Sequence, residues 1–319
     1  MGQRTNYILI EDGKQTIHYN HWRANCITFD LYLGEKKFIE FVKECRVVNV
    51  LLDEHWIEGC VIIDCSKKAL YFWSFEFEKT SVIPFYLNKL QDKWKGWNIT
   101  LLYNRMYDVE KVLNNNYLNK QEPIEFSSHP IDEFINDKVD EWVAATIVIK
   151  TGDELHVTQT GTVGVNSIIC FGEPIINILL NKSACQLPNE DDDNIYECIV
   201  IDTIKKEIII DKSEYGLWEQ SSTKWPGYKF KMGDYGYIAA LNLTGINTGK
   251  LVMSPVKAYE VFKNMTRQHS DFDPLGFTKV LLTQQKDIIF SPGFFDNVNP
   301  KKTLLERVKI RIRKMTIKR

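Results

Sequence analysis

Part of the chain repeats itself, and this constrains the fold more than any other feature, because two copies of one unit must each build a comparable core. Residues 17–74 laid over 155–212, an offset of 138, align His18 with His156, Gly34-Glu35 with Gly172-Glu173 and Cys60 with Cys198. Ile63-Asp64 falls on Ile201-Asp202, and Lys67-Lys68 on Lys205-Lys206. Between these matches apolar residues mostly replace apolar ones. Beyond one indel the offset becomes 131, pairing Lys93-Trp94 with Lys224-Trp225, Gly96 with Gly227 and Trp97 with Tyr228. The seven missing positions amount to about two helical turns. They fall where the first copy has the helix-like 84–90 and the second the looser 213–216. Matches in one order with one indel read as a tandem duplication.

Each copy carries the same pattern. A turn dipeptide between β-rich runs predicts a hairpin, over 7–11, Asp12-Gly13 and 16–21, and again over 145–150, Thr151-Gly152-Asp153 and 155–159. Phe38, Phe41, Val42 and Cys45 fall at helical spacing after Gly34; 174–180 is the counterpart. A second hairpin follows (60–63 with 69–74, and 198–201 with 207–211), and a last strand over 98–103 or 228–232 closes the unit. The expected fold class is α+β: a tandem duplication of a mainly antiparallel sheet unit, hairpin–helix–hairpin–helix–strand, with pseudo-two-fold symmetry. The first repeat takes residues 1–118, a polar linker 119–138, the second repeat 139–249, and a C-terminal helical and basic extension 250–319. In the extension, Ser254-Pro255 starts a helix with Ala258, Tyr259, Phe262 and Met265 on its apolar face. Residues 189–193 read as an acidic loop.

Composition narrows the class. The 319 residues are 44% hydrophobic and 26% charged with a net charge of −2, which excludes a globally basic nucleic-acid binder and a disordered chain. No apolar run approaches the roughly 18–20 residues of a membrane span. The N-terminus lacks the apolar stretch of a signal peptide, and Asn6 stands where a myristoylation motif needs Ser or Thr. The seven cysteines are an odd number without a C-x-x-C pair. Reduced thiols and a cytoplasmic location are therefore expected, with no metal site and no cofactor.

Several residues are weighed for chemistry. His18 and His21 belong on opposite faces of a strand; His18 reads as structural, and His21 with Trp22 as the better site candidates because they differ between the copies. Asp53, Glu54 and His55, next to Trp56 and Glu58, could bind a divalent metal or, with His21, do acid–base work, but a solvated loop before the second hairpin is the preferred reading. Asp64 and Asp202 recur just before a turn, where a carboxylate bonds turn backbone. No nucleophile elbow is present, and Gly161-Thr162-Val163-Gly164 lacks the lysine of a phosphate loop. Trp22, Trp56 and Trp73 belong to the first copy alone and would anchor an interface if exposed together. Residues 301–319 hold nine basic residues, among them Arg307, Lys309, Arg311, Arg313 and Lys314, against one acid, so +8 sits on the tail and −10 on the rest. Its pattern fits helix and strand alike. The tail offers nucleic acid or an anionic surface a contact. The expected function is non-catalytic binding, to a protein partner, of immunity, inhibitor or regulatory type. The alternatives are a nucleic-acid-associated protein using the tail, and a hydrolase with a pocket in the first repeat.

Overall fold

A computed structural model describes residues 3–52, 56–75, 77, 79–114, 143–161, 163–190, 197–211, 217–232, 236–267, 274–284, 288, 290 and 294–295. The first unit runs β1 (Thr5–Glu11), β2 (Lys14–Asn20), α1 (Ile27–Tyr32), α2 (Glu35–Glu44), β3 (Arg46–Val48), β4 (Gly59–Asp64), β5 (Ala69–Ser74), α3 (Ile83–Lys93), β6 (Asn98–Leu101) and α4 (Arg105–Leu113). The second runs β7 (Ala145–Thr151), β8 (Glu154–Thr160), α5 (Val165–Phe171), α6 (Ile175–Leu180), β9 (Cys198–Asp202), β10 (Glu207–Ile210), α7 (Leu217–Ser221), β11 (Lys229–Met232) and α8 (Tyr237–Leu243). Two further helices follow, α9 (Pro255–Met265) and α10 (Pro274–Gln284).

The strands form two sheets, ordered β3-β2-β1-β4-β5-β6 and β8-β7-β9-β10-β11. Apart from β3 the order is the same, and so is the sense of every pairing. Both sheets are mixed: the hairpins pair antiparallel as expected, whereas β1 with β4, β5 with β6, β7 with β9 and β10 with β11 run parallel. Each hairpin is antiparallel, but a helical crossover returns the chain in its original direction. The two-sheet repeat fits a duplication.

The repeat extends to individual hydrogen bonds. Trp94 Nε1 donates to Leu31 O at 2.8 Å, and Trp225 Nε1 to Ile169 O at 2.7 Å. Trp94 meets Trp97 edge-on at 4.9 Å, as Trp225 meets Tyr228 at 5.3 Å. Asp64 accepts from Lys67 N at 2.9 Å and Asp202 from Lys205 N at 2.8 Å, so both carboxylates fasten a turn. Lys68 and Lys206 take the same left-handed conformation, φ 48° and 52°.

The first hairpin departs from the sequence alignment. Asn6 lies opposite Cys60 and Thr146 opposite Cys198, so the hairpins correspond at an offset of 140, not 138. His18 is therefore equivalent to Thr158 rather than to His156. A two-residue slip leaves a side chain on the same face of its strand, and both rings find a carbonyl at the end of the following helix: His18 Nδ1 at Cys45 O, 3.2 Å, and His156 Nε2 at Leu179 O, 3.0 Å. His18 Nε2 also meets the Thr16 hydroxyl at 3.1 Å. The turns differ as well. Asp12 and Gly13 both have positive φ, whereas in the second hairpin Gly152 does and Asp153 does not, the signatures of type I′ and type II′ turns.

Each sheet is buried on both faces, which explains strands such as β4 and β9 that are apolar almost throughout. One face of the first sheet packs Tyr7, Val61, Ile63 and Phe72 against Leu31, Phe38, Tyr86 and Trp94; the other packs Ile8, Ile62 and Trp73 against Met106 and Val109 of α4. The second sheet repeats this with Ile147, Ile199 and Ile208 under α5 to α7, and Val148, Val200 and Ile209 over α8. Ser254 caps α9, accepting from Lys257 N, and the helix buries Ala258, Phe262 and Met265 in the core of the first repeat, while Tyr259 is largely exposed. Glu190, at the start of the expected acidic loop, is buried. The linker 119–138 and residues 191–193 and 213–216 lie outside the described residues.

Candidate functional site

Strands β1 and β4 are parallel and begin at the same end of the first sheet, and the antiparallel β2 finishes there. That topology gathers Gln3, Arg4, His21, Trp22, Trp56 and Glu58, which no sequence window contains together. Gln3 N donates to His21 O at 2.9 Å, and Arg4 N to the Glu58 carboxylate at 2.6 Å. Partial burial raises the Glu58 proton affinity, against the opposing pull of the Arg4 N–H. The Arg4 guanidinium lies 5.1 Å from the centroid of the Trp56 ring, and Trp56 is 57% exposed.

His21 is fully enclosed, 1% exposed. Its Nδ1 and the Tyr19 hydroxyl form a hydrogen bond of 2.6 Å. Its ring meets Trp22 at 4.6 Å and Phe294 at 5.2 Å, and Trp22 Nε1 donates to Phe294 O at 2.7 Å. Phe294 also contacts Phe290 and Phe295, at 4.7 and 4.9 Å.

A polar cluster lies under the sheet nearby. Arg23 grips the buried Asp30 carboxylate through two nitrogens, Nε at 2.9 Å and Nη2. Burial alone would weaken the Arg23 charge, but Asp30 more than offsets it and the guanidinium is held firmly protonated. Burial, reinforced by Asp30, pushes the Tyr7 hydroxyl well above its ordinary range. The Cys45 thiol is pushed up to about 12 by burial, with Asp30 adding to it and an Asn20 contact opposing. The Thr5 hydroxyl is buried beside that of Tyr7 and acts weakly against the Tyr7 rise. Where the first repeat has Thr5, Tyr7 and Asp30, the second has Ala145, Ile147 and Ile168.

The other expected site residues are placed as follows. Asp53, Glu54 and His55 lie outside the described residues, and so do Arg307, Lys309, Arg311, Arg313 and Lys314 with the whole tail 301–319. Of the three tryptophans only Trp56 is mainly exposed: Trp22 is half-buried beside Phe294, and Trp73 is 5% exposed within the core around α4. The trio does not form one exposed patch. All seven cysteines are free thiols. Among the described residues no group of three or more His, Cys, Asp or Glu could hold a metal ion, and no helix is long and apolar enough to cross a membrane. Two participants escaped the sequence reading. Phe294 joins Trp22 from 272 residues away, and its only local signal is the apolar pair Phe294-Phe295. Glu190 looked like one acid among several.

No protein-family model, no curated protein and no solved structure matches this chain.

Proposed function

We propose that the chain acts by binding a protein partner rather than by catalysis, as a cytoplasmic module of regulatory, immunity or inhibitor type. The end of the first sheet is its contact surface. The observation that carries this reading is Trp56, exposed with the Arg4 guanidinium over its ring. Tryptophan and arginine dominate binding energy at protein interfaces, and the stacked cation holds the indole in place for about 0.5–1 kcal/mol. The second repeat has Ala144 and Asn194 at these positions, so the feature belongs to one copy. In this reading the repeats, 1–118 and 139–249, are related by a pseudo-two-fold axis; one keeps the scaffold while the other carries the contact. Residues 119–138 join them, and 250–319 form the extension.

The test is capture from native extract at low and high salt, with tagged full-length chain and the Trp56→Ala and Arg4→Ala variants, assaying protein and nucleic acid. A stoichiometric protein that survives high salt and is lost with Trp56→Ala supports the reading. Trp56 is exposed, so the variant should fold and its melting temperature should fall by no more than the small cation–π contribution. A partner retained by both variants overturns the assigned surface. Nucleic acid that leaves with salt, with no protein retained, moves the function to the tail.

A further inference from the structure

Phe294 sits on the first repeat as a ligand sits in a site. Its ring packs edge-on against Trp22 at 5.0 Å and tilted against His21 at 5.2 Å, and it is 6% exposed while its neighbour Phe295 is 46% exposed. The contact is also polar and directional, because the Trp22 indole N–H spends its one donor on the Phe294 carbonyl at 2.7 Å. Without that acceptor a half-buried donor would lose its partner. Three groups of the first repeat thus read one residue: two rings read the side chain, and one N–H reads the backbone. The Tyr19 hydroxyl fixes the His21 ring from behind. The second repeat has Gly161 and Thr162 where the first has His21 and Trp22, so it lacks the receptacle.

We infer that the His21–Trp22 corner is a receptacle for a phenylalanine-bearing segment, and that the chain fills it with its own Phe294. The docked Phe294 ties its own stretch of chain to the first repeat and seals His21 from solvent. Tethering makes the contact strong although it is small, since a linked segment presents itself at an effective concentration of about millimolar or higher. This inference is independent of the contact assigned to Trp56.

The experiment is carbethoxylation of histidines in the full chain, mapped by mass spectrometry, with His18 as a core control. In wild type His21 should label slowly. In Phe294→Ala it should label about tenfold faster, the factor that corresponds to about 1.4 kcal/mol of lost contact, while His18 is unchanged. A synthetic peptide of residues 288–296, added at millimolar concentration, should restore protection. Phe295→Ala, at an exposed ring, should leave the His21 rate as in wild type. Trp22→Phe, which keeps a ring and loses the N–H, should give an intermediate rate and covers the case in which Phe294→Ala fails to fold. An unchanged His21 rate in Phe294→Ala, an equal acceleration in Phe295→Ala, or a peptide without effect would each overturn the inference.

Discussion

Glu190 and Ser81, 109 residues apart, meet at the junction of the two repeats: the carboxylate accepts from the Ser81 N–H at 2.8 Å and from its hydroxyl. The same carboxylate accepts from Met253 N at 2.9 Å, and Glu190 N donates to Leu251 O at 2.8 Å. One buried side chain therefore ties the first repeat, the second repeat and the C-terminal extension together. Glu190→Ala strands two backbone donors at once and should cost about 2–4 kcal/mol, whereas Ser81→Ala loses one hydroxyl and should cost about 1 kcal/mol. Urea denaturation of the two variants measures the difference. Equal midpoints would remove Glu190 from this role.

The paired tryptophans should behave alike. Trp94→Phe and Trp225→Phe each delete an indole N–H and with it the bond to a helix carbonyl, Leu31 O or Ile169 O. Each should lose about 1–3 kcal/mol. Thermal unfolding of both, and of the double variant, tests equivalence. The two sites lie in separate cores, so the losses should add to within about 0.5 kcal/mol.

Two glycines should rank differently although they are equivalent in the duplication. Gly34 and Gly172 both have positive φ, 91° and 98°, where a Cβ is strained. A Cβ at Gly172 would stand 2.8 Å from Lys224 O, and at Gly34 it would stand 3.3 Å from Lys93 O. Both alanine variants should be destabilised, Gly172→Ala more than Gly34→Ala. Chemical denaturation would refute the ranking if the order were reversed.

Burial raises the proton affinity of several thiols. Cys45 is raised to about 12, and Cys60 and Cys198 are raised strongly, in each case first by burial. Cys185 is exposed and also raised by partial burial. Alkylation of the native protein at pH 8, read by mass spectrometry, should modify Cys185 well before Cys45, Cys60 or Cys198, because the thiolate is the reactive form. Rapid labelling of Cys60 would contradict the buried placement of β4.

Asp202 gives a pH dependence of known sign. Burial acts to raise its proton affinity, but the N–H groups of Lys205 and Ile204 and the Lys150 ammonium outweigh it, and the carboxyl sits below its ordinary 3.8. The folded state thus binds this proton less tightly than the unfolded chain. The stabilisation should be complete above about pH 3.8 and vanish as the pH falls through the lower folded value. Denaturation of wild type and Asp202→Asn from pH 7 to pH 3 should show a constant gap that closes only at the acid end.

Much of the scaffold could be read from the residues. Cys60 with Cys198, Asp64 with Asp202 and Trp94 with Trp225 aligned correctly because each pair has the same job in both copies: a buried strand position, a turn carboxylate, a ring over a helix carbonyl. The first hairpin was misaligned by two residues because His18 and His156 look alike. Strand periodicity hides such a slip, since residues two apart face the same way. Parallel pairing was missed for a related reason: local pattern marks a strand, whereas its sense depends on how a crossover helix folds back.

The candidate site divides along the same line. The sequence by itself determined the duplicated unit, the hairpins, the capped helix at Ser254 and the charge of the tail, because these rest on periodicity, turn chemistry and composition within a few residues. Only the tertiary structure decided that Glu190 is a buried clasp, that Trp73 is core while Trp56 is surface, and that Phe294 closes over His21 and Trp22. Those outcomes depend on contacts between residues up to 272 positions apart. Such contacts form only where packing both sheets brings distant segments together, and a local pattern carries no record of them.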